Sequence, residues 1–171
     1  MLQGPTPSSG PYRSALAVLA IDGELRALAA RAFEAGEVVL YLEGALVARP
    51  TRYTIQLGAD VHLEMPLGTA WKNLLHRYPW RYLNHGCRPN TRIVGRNLAA
   101  LCDIPVGTEL RFDYEANELE LAEPFTCRCQ HCRGHVVRGF RHLPPDEREA
   151  RRPLLPEHLL AWLDSASEPV A

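Results

Sequence analysis

The stretch that decides the fold is Asn84-His85-Gly86-Cys87-Arg88-Pro89-Asn90 (NHGCRPN, 84–90). Two Asn, a His, a Cys, a Gly and a Pro in one short run fit neither a plain strand nor a plain helix. The segment reads as a loop whose polar side chains are engaged. They either bond backbone groups, as in an ordinary hydrogen-bonded turn, or bind a polar ligand.

Downstream lies GTELRFDY (107–114), a turn and a short strand ending in Asp113 and Tyr114. A strand-end Tyr is usually half-buried packing with its hydroxyl satisfied; a catalytic Tyr is the sharper alternative. Next come Cys127, Cys129 and Cys132, three of the chain's five cysteines within six residues. Three thiols on one tight loop suit zinc, which takes four ligands in a closed structural site. The fourth would come from Cys87, Cys102, His131 or His135. Cys102 ends an apolar run (LAALC, 98–102) and is expected to behave as a small core residue. His131 sits between two presumed ligands, where strain disfavours it. Elimination leaves Cys87, with three free or redox-active thiols as the bland alternative.

The rest of the 171 residues frames these segments. An apolar share of 46 % supports one domain with a real core. A net charge of −1 gives no polybasic nucleic-acid surface. No run is long enough to span a bilayer and none has the form of a signal peptide, so no membrane partner and a cytoplasmic location are expected. An odd cysteine count without such a signal argues against a disulfide framework. Residues 1–12 (MLQGPTPSSGPY) read as a flexible leader. Residues 14–21 read as a strand, and 26–33 as a helix by propensity alone. Short strands follow at 37–44, 52–58 and 61–65, each bounded by Gly or Pro. A helical turn is expected at 71–76, a hairpin at 91–94 and 98–103, and a strand at 109–114. Asp146 is expected to cap EREARR, and Pro156 to open a last helix with Leu159, Leu160 and Leu163 on its apolar face and Trp162 beside them. The class is β-rich α+β.

Together these segments resemble the SET-domain family of protein-lysine methyltransferases. The family carries N-H-S-C-x-P-N, then G-E-E-L-x-x-D-Y, and many members add a cysteine-rich post-SET tail. Here the three appear in order as NHGCRPN (84–90), GTELRFDY (107–114) and FTCRCQHC (125–132). EAGEVVLYLEG (34–44), Arg52-Tyr53-Thr54 and Arg81-Tyr82-Leu83 are similar to further family segments. The continuation CRGHVVRGF (132–140) looks like the small stand-alone bacterial members. Leu25 and Ala27 stand where the family has glycines lining the cofactor, and Gly86 replaces the Ser of N-H-S-C.

The resemblance implies several short sheets with a threaded C-terminal segment, a zinc-bound post-SET tail and a C-terminal helix. The division is a leader over 1–13, a SET domain over 14–123, a zinc segment over 124–140 and a helical extension over 141–171. It implies S-adenosylmethionine as cofactor, with Arg26, Ala27, Leu28, Tyr82, Asn84, His85, Tyr114 and Phe125 around it. Tyr114 would be catalytic together with Tyr53, and Tyr53, Phe112 and Tyr114 would line the lysine channel. Phe112, where the family varies between Phe and Tyr, leaves room for di- or trimethylation. Cys87, Cys127, Cys129 and Cys132 would hold a structural Zn2+. The partner would be a protein with a target lysine, basic or histone-like proteins among the candidates, with no direct nucleic-acid binding. A catalytically inactive SET fold serving as a zinc-containing protein-binding module is the alternative, and a zinc-stapled domain unrelated to methyl transfer a third.

Overall fold

The computed structural model describes residues 15–129, 131–132 and 134–166, the side chains of 71–73 excepted. The expected leader at 1–13 lies outside the described residues.

The fold begins with a hairpin of β1 (Leu16–Ile21) and β2 (Glu24–Ala29), registered from Leu16 opposite Ala29 to Ile21 opposite Glu24. Its turn is Asp22-Gly23, with φ of 53° and 80°. Positive φ at both central residues matches the right-handed twist of the strands, and Asp-Gly is a favoured pair for it. This corrects the helix expected over 26–33. Alanine propensity is worth only tenths of a kcal/mol per residue, and strand pairing on both sides of β2 overrides it. On its far side, Leu110 N donates to Ala27 O at 2.8 Å and Gly107 N to Ala29 O at 2.8 Å. The GTEL turn therefore lies directly along β2.

Two three-stranded sheets form the body. One is ordered β3 (Val38–Tyr41), β9 (Asn97–Ala100), β8 (Thr91–Val94); the other β4 (Ala45–Val47), β6 (Val61–Glu64), β5 (Ile55–Gly58). The strands expected at 37–44, 52–58 and 61–65 are present within those bounds, while β4 carries no clear sequence signal. The hairpin at 91–100 stops early. Leu101 N turns to Asn90 O, and Cys102 is exposed, which corrects its expected place in the core. Ile104 is the next residue of that segment to be fully buried.

Helix α1 (Trp71–Arg77) occupies the expected position and leads into a 3-10 turn, Pro79–Tyr82, where buried Trp80 donates from Nε1 to Glu43 O at 2.8 Å. Then β7 (Asn84–His85) pairs in parallel with β10 (Arg111–Phe112), Asn84 opposite Arg111 and His85 opposite Phe112. The main core gathers Ala27, Ala29, Leu42, Leu63, Trp80, Leu98, Leu110 and Phe112 between these sheets.

A second cluster belongs to the C-terminal part. A small hairpin of β11 (Phe125–Thr126) and β12 (Val136–Val137) precedes α2 (Pro145–Arg151) and α3 (Glu157–Ala166). Phe140, Leu143, Leu155, Leu159 and Leu163 pack together with Ala116, and Trp162 meets Phe140 edge-on at 5.9 Å. Truncating the fully buried Phe140 would cost about 3–5 kcal/mol. Asp146 is not the cap of α2. The helix opens on Pro145, whose fixed φ suits the first position, and Asp146 lies in the first turn, where its charge still favours the helix N-terminus. Pro156 precedes α3, its carbonyl accepting from Leu159 N and Leu160 N.

Candidate active site and metal centre

The four thiols of Cys87, Cys127, Cys129 and Cys132 converge, all sulfurs lying within 4.8 Å of one another. Cys87 Sγ is 3.7 Å from Cys127 Sγ, and Cys129 Sγ is 3.3 Å from Cys132 Sγ. Four thiolates at about 2.3 Å from a tetrahedral zinc would sit roughly 3.8 Å apart, so the residues fit the ion. The β11–β12 hairpin sets this geometry, with Cys127 N donating to His135 O at 2.8 Å. Both histidine alternatives fall away. His131 is exposed, and His135 is 2.6 Å from Glu115 Oε2. Burial and the neighbouring thiols push the Cys87 thiol up in the absence of a cation; a bound metal reverses this by deprotonating its thiol ligands.

Cys87 also joins the cysteine cluster to the NHGCRPN loop. His85 Nε2 is 3.2 Å from Cys87 Sγ, while His85 Nδ1 accepts Tyr114 N–H at 3.3 Å. The acceptor role of Nδ1 places the proton on Nε2, which then donates to the sulfur. Burial holds the imidazole pKa below its usual value, against the opposing pull of Asp113. The far end of the loop is structural. Asn90 Oδ1 accepts Arg111 N at 2.9 Å and Asn90 Nδ2 donates to Glu109 O at 2.8 Å. Gly86 has a packing reason too, since a Cβ there would stand 3.0 Å from Arg111 Cβ.

Three further rings gather beside His85. Tyr114 lies 5.4 Å from His85 and 4.7 Å from Phe112, and Phe125 lies 5.8 Å from His85 and 6.0 Å from Tyr114. The Tyr114 hydroxyl donates to Leu83 O at 2.7 Å. Burial, with Glu118 adding to it, pushes its pKa well above that of an ordinary phenol, so the hydroxyl stays protonated at neutral pH. Phe112 is buried beneath Tyr114, and Phe125 stands at the rim, 36 % exposed.

The remaining expected residues divide into two groups. Asn84 Nδ2 donates to Glu109 Oε1 at 2.9 Å, Arg26 Nη1 lies 3.6 Å from Glu109 Oε2, and Arg111 also pairs with Glu109. Burial raises the Glu109 pKa, but Arg111, Asn84 and Arg26 outweigh it and hold the carboxyl low. Arg26 and Leu28 share one face of β2 beside this cluster. Ala27 faces the other way, fully buried in the main core. Tyr82 is half-buried against the core, its pKa raised by burial. Tyr53 sits on the exposed turn before β5, with the Arg81 guanidinium 3.9 Å over its ring. His85, Phe112, Tyr114 and Phe125 are thus one cluster, while Tyr53 lies with Arg81 and Tyr82.

Several residues of this neighbourhood carry no sequence signal of their own. Glu109 is one member of the GTEL turn, and only the fold brings it to Asn84 and Arg26. Glu115 and Glu118 sit in an acidic run (115–124) whose sequence reads as a loop or a short helix, and both are buried. Glu118 accepts from Gln56 N at 2.9 Å and from Asn117 Nδ2 at 2.8 Å.

The SET-domain family model matches residues 26–115, 90 of the 171 in the chain. The chain belongs to the SET-domain family, whose members are in general lysine methyltransferases. Small sheets, few helices and a cysteine cluster near the C-terminus that can hold a metal ion are the features expected of that fold. Among the described residues, no helix is long and apolar enough to cross a membrane.

Proposed function

We propose that this chain is an S-adenosylmethionine-dependent protein-lysine N-methyltransferase carrying a structural zinc. One observation carries the reading: the Tyr114 hydroxyl is fixed on Leu83 O inside a cluster with His85, Phe112 and Phe125. S-adenosylmethionine supplies a methyl carbon on a sulfonium, for the lone pair of a neutral lysine amine. Tyr114 is the catalytic residue. Its phenol, kept protonated by burial, orients the reacting groups as a neutral dipole and removes no proton. The apolar walls of Phe112 and Tyr114 disfavour an ammonium and so favour the neutral amine. Tyr53 orients the lysine from the Arg81 side. Asn84 and His85 hold the cofactor partly through backbone atoms, joined by Arg26, Leu28 and Tyr82, and Phe125 stacks on its adenine; Ala27, buried in the core on the other face of β2, supports this wall from behind. Zinc on Cys87, Cys127, Cys129 and Cys132 fixes the tail that carries Phe125.

The substrate is a protein lysine, in a basic or histone-like protein among the candidates. Free thiolate ligands suit a reducing compartment such as the cytoplasm. The functional division follows the zinc segment at 124–140 and the extension from 141 onward. The alternative of an inactive binding module is motivated by Leu25 and Ala27 in place of glycines. The burial of Ala27 in the core removes half of that motive.

A thermal-shift titration with S-adenosylmethionine and its demethylated product tests the reading. Saturable stabilisation by both is expected; no shift at millimolar ligand would favour the inactive module.

A further inference from the structure

The turn that carries Tyr114 is gripped, residue after residue, by chain lying beyond the SET-family match at 26–115. Asp113 caps this 3-10 turn, Tyr114–Ala116, its Oδ1 accepting Glu115 N at 3.0 Å. Its other oxygen, Oδ2, accepts from Arg151 Nε of α2 at 3.0 Å. Glu115 is held by His135 and by Arg138 N, Ala116 packs into the C-terminal cluster, and Asn117 O meets His158 Nε2 at 2.9 Å. Asp113 is nearly buried, and Arg151 is the cation on it. Arg151 is itself anchored by Glu147, through the backbone carbonyl and the carboxylate.

We propose that Arg151 is a positioning residue of the methyl-transfer site, acting through Asp113 to fix the turn that aims Tyr114. The proposal rests on the methyltransferase reading above. Without its cation, Asp113 would be a buried charge with one unpaired oxygen, free to relax toward water. The cap would loosen, and Tyr114 N would lose its register on His85 Nδ1. A misplacement of about an ångström at a reacting group costs roughly a hundredfold in rate. The α2 segment is then part of the active site rather than an appendage, although it lies outside the family's own boundaries.

The test uses the full zinc-loaded chain and compares Arg151→Met, Arg151→Lys and the parent. Lysine keeps the charge, and its Nζ reaches one bond further than the Nε it replaces. Methyl transfer to a lysine-peptide library gives kcat and KM. The 13C ring resonance of Tyr114, assigned by its disappearance in Tyr114→Phe, reports the ring position directly. The expected result is a fall in kcat of about ten- to a hundredfold in Arg151→Met, with KM and zinc content held, a displaced Tyr114 resonance, and recovery of both in Arg151→Lys. Unchanged kcat and an unmoved resonance in folded Arg151→Met would overturn the proposal, leaving Arg151 a stability residue only. If Arg151→Met does not fold, Arg151→Leu, which likewise lacks both charge and donor, is read in the same way. If the parent transfers no methyl group, the methyltransferase reading fails, and the Tyr114 resonance still decides whether Arg151 fixes the turn.

Discussion

His85 stands between Tyr114 and Cys87, accepting the Tyr114 N–H on one ring nitrogen and facing the Cys87 sulfur at 3.2 Å with the other. The turn that carries Tyr114 and the four-cysteine cluster therefore share one imidazole. A metal ligand whose sulfur receives a hydrogen bond is tuned by that partner, and here the partner is also the residue against which Tyr114 registers.

Removal of zinc is accordingly expected to weaken cofactor binding as well as stability. Elemental analysis should find one zinc per chain. In Cys87→Ser the zinc content should fall well below one, and calorimetry should show S-adenosylmethionine affinity lowered by about tenfold or more, in the range seen when the surroundings of a metal site are altered. Full zinc content in Cys87→Ser would remove Cys87 from the ligand set.

Glu118 gives the fold a pH signature. Burial pushes its carboxyl from 4.5 up to about 7, against the lowering effect of Gln56 N and Asn117. A folded-state pKa above the unfolded value means that the folded chain binds the proton more tightly. The contribution is fully present below about pH 4.5 and is lost as pH rises through about 7. Glu118→Gln should therefore gain in relative stability between pH 5 and 8, by a kcal/mol or more. Chemical denaturation across that range measures it, and a constant difference would refute the assignment.

Ala27 stands where the family has glycine, yet its methyl is buried in the main core. Ala27→Gly is expected to lower stability by about 0.5–1 kcal/mol, the usual cost of glycine inside a regular element, and to leave cofactor affinity within about twofold. A large gain in affinity would show instead that the methyl crowds the cofactor.

Phe112 is tilted against Tyr114 with ring centres 4.7 Å apart. Adding a hydroxyl in Phe112→Tyr should reduce the space for methylated amines and shift products toward monomethyl-lysine. Mass spectrometry of the product lysine reads this, and an unchanged product distribution would take Phe112 out of the channel.

The parts legible in the sequence were those whose chemistry is local. NHGCRPN cannot be regular structure, the C-x-C-x-x-C loop places three thiols by covalent geometry, and short strands broken by Gly and Pro define a β-rich chain. Elimination pointed to Cys87, and its thiol does converge with the other three although it lies 40 residues from Cys127. What stayed hidden was decided by distant pairing. β2 reads as helix until β1 and the 107–110 turn pair with it. Cys102 ends an apolar run, but the chain turns away from the core before reaching it. Arg151 is one of two arginines on α2, and its role exists only because α2 packs beside Asp113. Glu118 is one of several acidic residues in its run, and only the fold buries it against Gln56 and Asn117.

The decisive measurement is methyl transfer itself. The zinc-loaded chain is incubated with S-adenosylmethionine carrying an isotopically labelled methyl group and a library of lysine-bearing peptides and basic proteins, and the products are read by mass spectrometry. Lys72 is the chain's own single lysine, so a Lys72→Arg control separates self-modification from transfer to substrate. Labelled methyl-lysine is expected from the parent chain and none from Tyr114→Phe with unchanged fold and zinc content. Undiminished transfer by Tyr114→Phe, or a zinc-loaded parent that binds the cofactor yet labels no lysine, would contradict the proposed function.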